Sequence, residues 1–208
     1  MKNYIIWIVI AMLVLALVVE GVYAKRKNNK RSELENKAAT LMMQGNFKEL
    51  YSFLNSTEAL KGLSKYNRAY LKTNGSIMDG NDSLIEQSLN EIQEVKMNKQ
   101  QKTEVYFNAF NYYIDKDLKE KVDYYKELLL KNVNDSQTLN YIDRLYDTKI
   151  LKSDKYLNEI LEELSSKNKV NKITDYLLLV EIYKNLGDTQ NANKYNDLYL
   201  SEVKQTMK

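Results

Sequence analysis

The sequence predicts an all-α protein, in which an N-terminal transmembrane helix precedes an α-α superhelix of about five helical hairpins. Three observations lead to this fold class: an apolar run opens the chain, the chain has no proline, and breaks in its helical pattern recur about every 35 residues. The predicted domain boundaries are a short tail at residues 1–3, a transmembrane helix at 4–24, a basic juxtamembrane segment at 25–31 and a repeat domain at 32–208.

The composition argues against most kinds of active site. The 208-residue chain has no Cys and no His, so it lacks thiolate ligands, thiol nucleophiles and the usual general base near neutral pH. It also has only six Gly, a poor supply for phosphate-binding loops. Acidic neighbours such as Glu162 and Glu163 have the spacing of a solvated helix face. We therefore expect no enzymatic activity, no cofactor and no metal.

The first element is the predicted transmembrane helix. Every residue from 4 to 19 is apolar or aromatic, and only one acid, Glu20, interrupts the run before residue 24. About 20 helical residues rise by roughly 30 Å, which is the thickness of the hydrocarbon core of a bilayer. Tyr4 and Trp7 lie at one end of the run and Tyr23 at the other, where aromatic rings prefer the headgroup level.

Two alternatives to a membrane span remain open. The small residues at 22–24 could form the cleavage site of a signal peptide, although the segment before the apolar run holds only Lys2 and basic residues follow the site. The run could also be a buried core helix, although an apolar surface on all sides fits lipid better than a helix with one exposed edge.

The basic juxtamembrane segment sets the predicted orientation. The positive-inside rule places the repeat domain in the cytoplasm, so the expected location is the cell membrane, with a single pass. The same cations could also attract anionic lipid. Because residues 32–208 carry a net charge of only about −2, we expect no binding of nucleic acid. The membrane-flanking basic residues are Lys25, Arg26, Lys27, Lys30 and Arg31.

The repeat domain is predicted from the spacing of its breaks. Between the breaks, apolar residues recur at intervals of three and four, as they do on one face of a helix. The breaks are centred at residues 45, 80, 116, 151 and 187, so they lie 35 or 36 residues apart. Because a single hairpin has too little apolar surface to be stable alone, such a period predicts stacked helical hairpins.

The last hairpin resembles the tetratricopeptide repeat (TPR). It departs from that family at Val180, where a smaller residue is usual, and in its late aromatic, which lies one position early; the closing proline is absent. The other hairpins match only in period and polarity, so a TPR-like array is the expectation and a generic α-solenoid is the alternative. The residues that carry the resemblance are Tyr176, Leu179, Tyr183, Gly187, Asp188, Ala192 and Tyr195.

In such an array the first helix of each hairpin lines the concave face, so partner-binding residues are sought on first helices, away from the packing stripe. Asn side chains can bind a peptide backbone through paired donors and acceptors, and Phe offers an apolar contact. No basic residue occupies a groove position next to Asn108 or Asn111 on their own helix, which argues against a clamp for carboxylates. Most of the 17 tyrosines fall on the packing stripes instead. The candidates are Phe107, Asn108 and Asn111 in the third hairpin, and Leu177, Glu181 and Lys184 in the fifth.

These observations predict a non-enzymatic scaffold that binds a protein or peptide partner at the cytoplasmic face of the membrane. Two alternatives keep the fold. The array could lie outside the membrane as an assembly factor or chaperone for exported or envelope proteins, or it could be an accessory subunit of a membrane complex.

Overall fold

The structure is a computed structural model that describes residues 25, 27–165 and 172–206, and all regular secondary structure in these ranges is helical. Within them the chain forms eleven helices: α1 (residues 25 and 27–43), α2 (Phe47–Leu54), α3 (Thr57–Gly62), α4 (Lys65–Asp79), α5 (Asp82–Gln93), α6 (Lys99–Asp115), α7 (Lys119–Asn132), α8 (Ser136–Lys149), α9 (Leu157–Ser165), α10 (Ile173–Asn185) and α11 (Thr189–Thr206).

The predicted fold class is wrong in its membrane part. The described chain is all-α and built from packed helix pairs, but none of its helices is both long and apolar enough to cross a bilayer. The apolar helix α10 has 13 residues and spans only about 20 Å, whereas α11 has 18 residues but is mainly polar. The predicted span, residues 4–24, lies outside the described ranges.

The helices belong to two compact units, Met1–Met97 and Asn98–Lys208. In the first unit, α1, α2 and α3 share one apolar core, and α4 packs against both α2 and α5. Gly75 lies in α4 where that helix meets Leu50 of α2. Glycine is needed there because a Cβ would come within 2.4 Å of a Leu50 methyl carbon. The residues of the shared core are Leu34, Ala38, Leu41, Leu50, Phe53, Leu54, Ala59 and Leu63.

All five predicted turns are present, each within one residue of its predicted position. Each turn contains one residue with a left-handed backbone, which ends the first helix of a pair and lets the second helix begin. Three of these residues are the expected glycines, but the third and fourth turns use residues that carry side chains. The left-handed residues are Gly45 (φ 68°), Gly80 (72°), Asp117 (55°), Lys152 (53°) and Gly187 (73°).

Tyrosines hold the third and fifth pairs together in the same way. The rings of Tyr113 on α6 and Tyr125 on α7 are stacked with their centres 5.5 Å apart. Tyr183 on α10 and Tyr195 on α11, each 70 positions later in the sequence, are stacked at the same 5.5 Å. Tyr113, Tyr125 and Tyr195 are buried, so the predicted packing role is confirmed for these side chains.

An ionic cluster connects the fourth pair instead. Arg144 on α8 is only 6% exposed, and its two terminal nitrogens donate hydrogen bonds to both carboxylate oxygens of Glu163, at 3.0 and 2.5 Å. One of them also donates to Glu159 at 2.5 Å. These carboxylates, Glu163 above all, raise the pKa of Arg144 further above its usual value. Because Glu159 and Glu163 lie on α9, the cluster joins the two helices of this pair through ion pairs.

Candidate functional site

A cleft of about 370 Å³ lies in the unit Asn98–Lys208, where the first helices of three successive pairs meet. These helices are α6, α8 and α10. Three of the six predicted partner-binding residues line this cleft: Asn111 from α6, and Leu177 and Glu181 from α10. The structure therefore brings together residues from the third and fifth hairpins that are about 70 positions apart in the sequence.

The other three candidates lie beside the cleft. The ring of Phe107 is 5.9 Å from the ring of Tyr141, which is itself part of the lining. Lys184 is exposed, and its Nζ donates a hydrogen bond to Oε1 of Glu181 at 2.9 Å. Asn108 is half-buried and is not part of the lining.

The cleft has an apolar floor and an apolar rim. Ile114, Leu145 and Leu178 are buried at its base. Leu177 is 42% exposed and offers an apolar surface at the edge of the cleft. Burial raises the pKa of the half-buried Tyr141, as does the nearby carboxylate of Asp115, so this ring stays neutral well above physiological pH.

Charged groups at the mouth of the cleft compensate one another. Nζ of Lys149 on α8 lies 3.7 Å from Asp115 on α6 and 3.5 Å from Glu181 on α10. Burial alone would raise the pKa of Glu181, but the ammonium groups of Lys184 and Lys149 lower it below its usual value. Glu181 is therefore a carboxylate at neutral pH. Lys149 thus links all three first helices through ion pairs.

The sequence-based list missed the contribution of α8. Tyr141, Leu145 and Lys149 all line the cleft, yet no residue of the fourth hairpin was a candidate. A signal was available, because Tyr141 lies midway between Tyr106 and Tyr176, at intervals of 35 residues. Tyr106 and Tyr176 contact tyrosines of their partner helices, at 6.2 Å between ring centres in both cases, whereas Tyr141 contacts Phe107.

The predicted membrane-flanking basic residues belong to α1 as far as they are described. Lys25, Lys27, Lys30 and Arg31 are helical and exposed, and Nε of Arg31 is 3.6 Å from Glu35 one turn later. Arg26 lies outside the described residues.

In the part of the chain that the structure describes, no group of three acidic side chains is placed to hold a metal ion. Comparisons with protein-family models, curated proteins and solved structures found no match to this chain. The described chain is thus classified by its fold alone, as an all-α protein built from packed helix pairs.

Proposed function

We propose that the chain is a non-enzymatic, TPR-like scaffold that binds a short polypeptide segment in the cleft between α6, α8 and α10. The five turns at intervals of about 35 residues support the repeat assignment. So does the last pair, where Ala192 is buried between the helices and Gly187 has a left-handed backbone.

One observation carries the proposal: three successive first helices expose apolar and amide groups in the same cleft. Leu177 is an exposed apolar side chain on its rim, and Asn111 is half-buried in its wall. An apolar side chain of a peptide would replace water on Leu177 and Tyr141, while the amide of Asn111 could both donate to and accept from a peptide bond.

The charges also fit a polypeptide better than a strongly charged ligand. Asp115 and Glu181 are balanced by Lys149 and Lys184 around the cleft, so the site has little preference for a net positive or negative partner. A volume of about 370 Å³ accommodates a few side chains of a longer segment.

The test is selection of unstructured peptides from a display library against the full-length chain, followed by affinity measurements on variants. We expect Leu177→Asp to weaken the selected peptides by about tenfold or more, because it places an unpaired charge against an apolar contact. Asn111→Ala should weaken them by about three- to tenfold through the lost hydrogen bonds.

Leu130→Asp is the matched control, since Leu130 is a comparably exposed leucine (46%) on the second helix α7. We expect it to leave the affinity unchanged. The proposal fails if no peptide is selected, or if selected peptides bind the Leu177 and Leu130 variants equally well.

A further inference from the structure

A second cleft, of about 380 Å³, lies in the other unit, Met1–Met97. It is bounded by the C-terminal ends of α2 and α5 and by one face of α4. Three cations of α4, namely Lys65, Arg68 and Lys72, line it at spacings of three and four, so they project from the same face of the helix. The chemistry of this cleft is therefore set by a row of positive charge.

Arg68 is the unusual member of this row. Its Nε is buried and has no hydrogen-bond partner, and no acceptor for its terminal nitrogens is found among the residues that the structure describes. Nε of Arg144 is also buried without a partner, but the terminal nitrogens of that side chain bind two carboxylates. The buried Nε has lost water without gaining a hydrogen bond, which is costly, whereas the terminal nitrogens of this half-buried side chain remain available to an acceptor.

The neighbours of Arg68 leave one positive charge uncompensated. Nζ of Lys72 forms an ion pair with Glu91 at 2.6 Å, and that pair lowers the pKa of Glu91. Lys65 and Arg68 then face a single acid, Glu94, in the lining. A ligand with one negative charge would complete the balance, whereas a doubly charged phosphate would exceed it.

The remaining walls of the cleft are apolar. Leu54 at the end of α2 and Val95 after α5 are buried with their side chains against the cleft, and Ala69 lies beside Arg68 on α4. The lining thus combines a cationic group with a short apolar surface, which suits a ligand that has one anionic end and an apolar body.

We propose that this cleft binds a monocarboxylate, with the carboxylate on the terminal nitrogens of Arg68 and its apolar part against Leu54, Ala69 and Val95. Arg presents two parallel N–H donors that match the two oxygens of a carboxylate. Lys65, one turn earlier on α4, adds a second positive charge near the carboxylate. The site lies in a different unit from the proposed peptide cleft and does not depend on it.

The experiment is an NMR titration of the full-length chain with hexanoate, with the uncharged hexanamide and inorganic phosphate as comparison probes. We expect hexanoate to bind and hexanamide to bind at least about tenfold more weakly, because only hexanoate can accept charge-assisted hydrogen bonds. A short peptide with an apolar C-terminal residue is titrated in the same way, once with its C-terminal carboxylate free and once with that group amidated. Comparison with hexanoate shows whether the site prefers a small carboxylic acid or the carboxylate at the end of a polypeptide.

Three variants distinguish the proposed site from adventitious binding. Arg68→Gln should weaken hexanoate by about tenfold or more, whereas Glu94→Gln should tighten it by about threefold, since a repelling charge is removed. Arg31→Gln is the control, because Arg31 is an exposed arginine of the same unit that pairs with Glu35 outside the cleft.

The proposal is overturned if hexanoate does not bind, if hexanamide binds as well, if phosphate binds more tightly, or if Arg68→Gln and Arg31→Gln behave alike. Should Arg68→Gln prove unfolded by circular dichroism, the Glu94→Gln result decides. Unchanged or weaker binding in that variant also counts against the site.

Discussion

The fourth turn allows a direct test of the repeat geometry, because a lysine occupies a position where three other turns have glycine. Lys152 has φ 53° and Gly187 has φ 73°. Both residues belong to the unit Asn98–Lys208, so substitutions at the two positions report on the same folded unit. Replacing Lys152 by Gly and Gly187 by Ala should therefore change the free energy of unfolding in opposite directions.

The magnitudes follow from the backbone. A left-handed conformation costs an L-residue about 1–2 kcal/mol, and glycine avoids that cost but loses about 0.5–1 kcal/mol of extra chain entropy on folding. Lys152 is 3.9 Å from Asp117 in an exposed ion pair, which contributes little. Lys152→Gly should thus stabilise by about 0.5 kcal/mol. Gly187→Ala should destabilise by about 1 kcal/mol, all of it from backbone strain, since a Cβ there meets no atom within 4 Å.

The assay is urea unfolding of the full-length chain followed by circular dichroism. Asp154→Gly is the matched control in the same connection, because Asp154 is exposed and has no left-handed backbone to relieve. It should lower the stability by about 0.5–1 kcal/mol. A loss of stability in Lys152→Gly equal to that in the control would refute the equivalence of the fourth and fifth turns.

Three further predictions concern contacts between helices. Glu163→Gln should lower the free energy of unfolding by about 2 kcal/mol in a urea titration, because Arg144 stays buried after losing one of its two carboxylate partners. Adding Arg144→Met to the same chain should restore most of the lost stability. No recovery in the double variant would contradict the pairing. Burial, together with Asp79 at 3.4 Å, raises the pKa of Tyr51 to about 12. Because this folded-state pKa exceeds the unfolded value of 10.0, the free energy of unfolding should fall between pH 10 and 12, and it should fall less in Tyr51→Phe. An equal loss of stability in both chains would contradict this pKa. Ala192→Arg should destabilise by about 3 kcal/mol or more in thermal melts, since it forces a charge between α10 and α11; an unchanged melting temperature would show that this register is wrong.

The turns could be predicted from the sequence because they depend on local chemistry. Gly45, Gly80 and Gly187 are the residues that adopt a left-handed backbone at least cost, and they mark three turns directly. The other two turns were predicted from breaks in the apolar pattern together with the spacing, and the structure has them at Asp117 and Lys152. Each of these turns depends on a few neighbouring residues, so the sequence of a short segment is enough to predict it.

The clefts were less accessible because each is assembled from distant segments. Tyr141 and Lys149 line the first cleft only because α8 lies between α6 and α10, which no single-helix pattern reveals. Arg68 reads in the sequence as an ordinary polar position on α4. Its lack of an acceptor emerges only when the ends of α2 and α5 close around it. Arg144 likewise gives no sign of burial in the sequence, and its contacts with Glu159 and Glu163 explain it.

The most direct test of the proposed function is photocrosslinking in intact cells with a photoreactive phenylalanine analogue placed at position 177 or at position 130. Both positions hold exposed leucines, but only Leu177 lies in the α6–α8–α10 cleft. We expect a distinct polypeptide adduct from position 177 that is reduced when Asn111 is changed to Ala, and no such adduct from position 130. Identical adducts from both positions, or none from position 177, would contradict it.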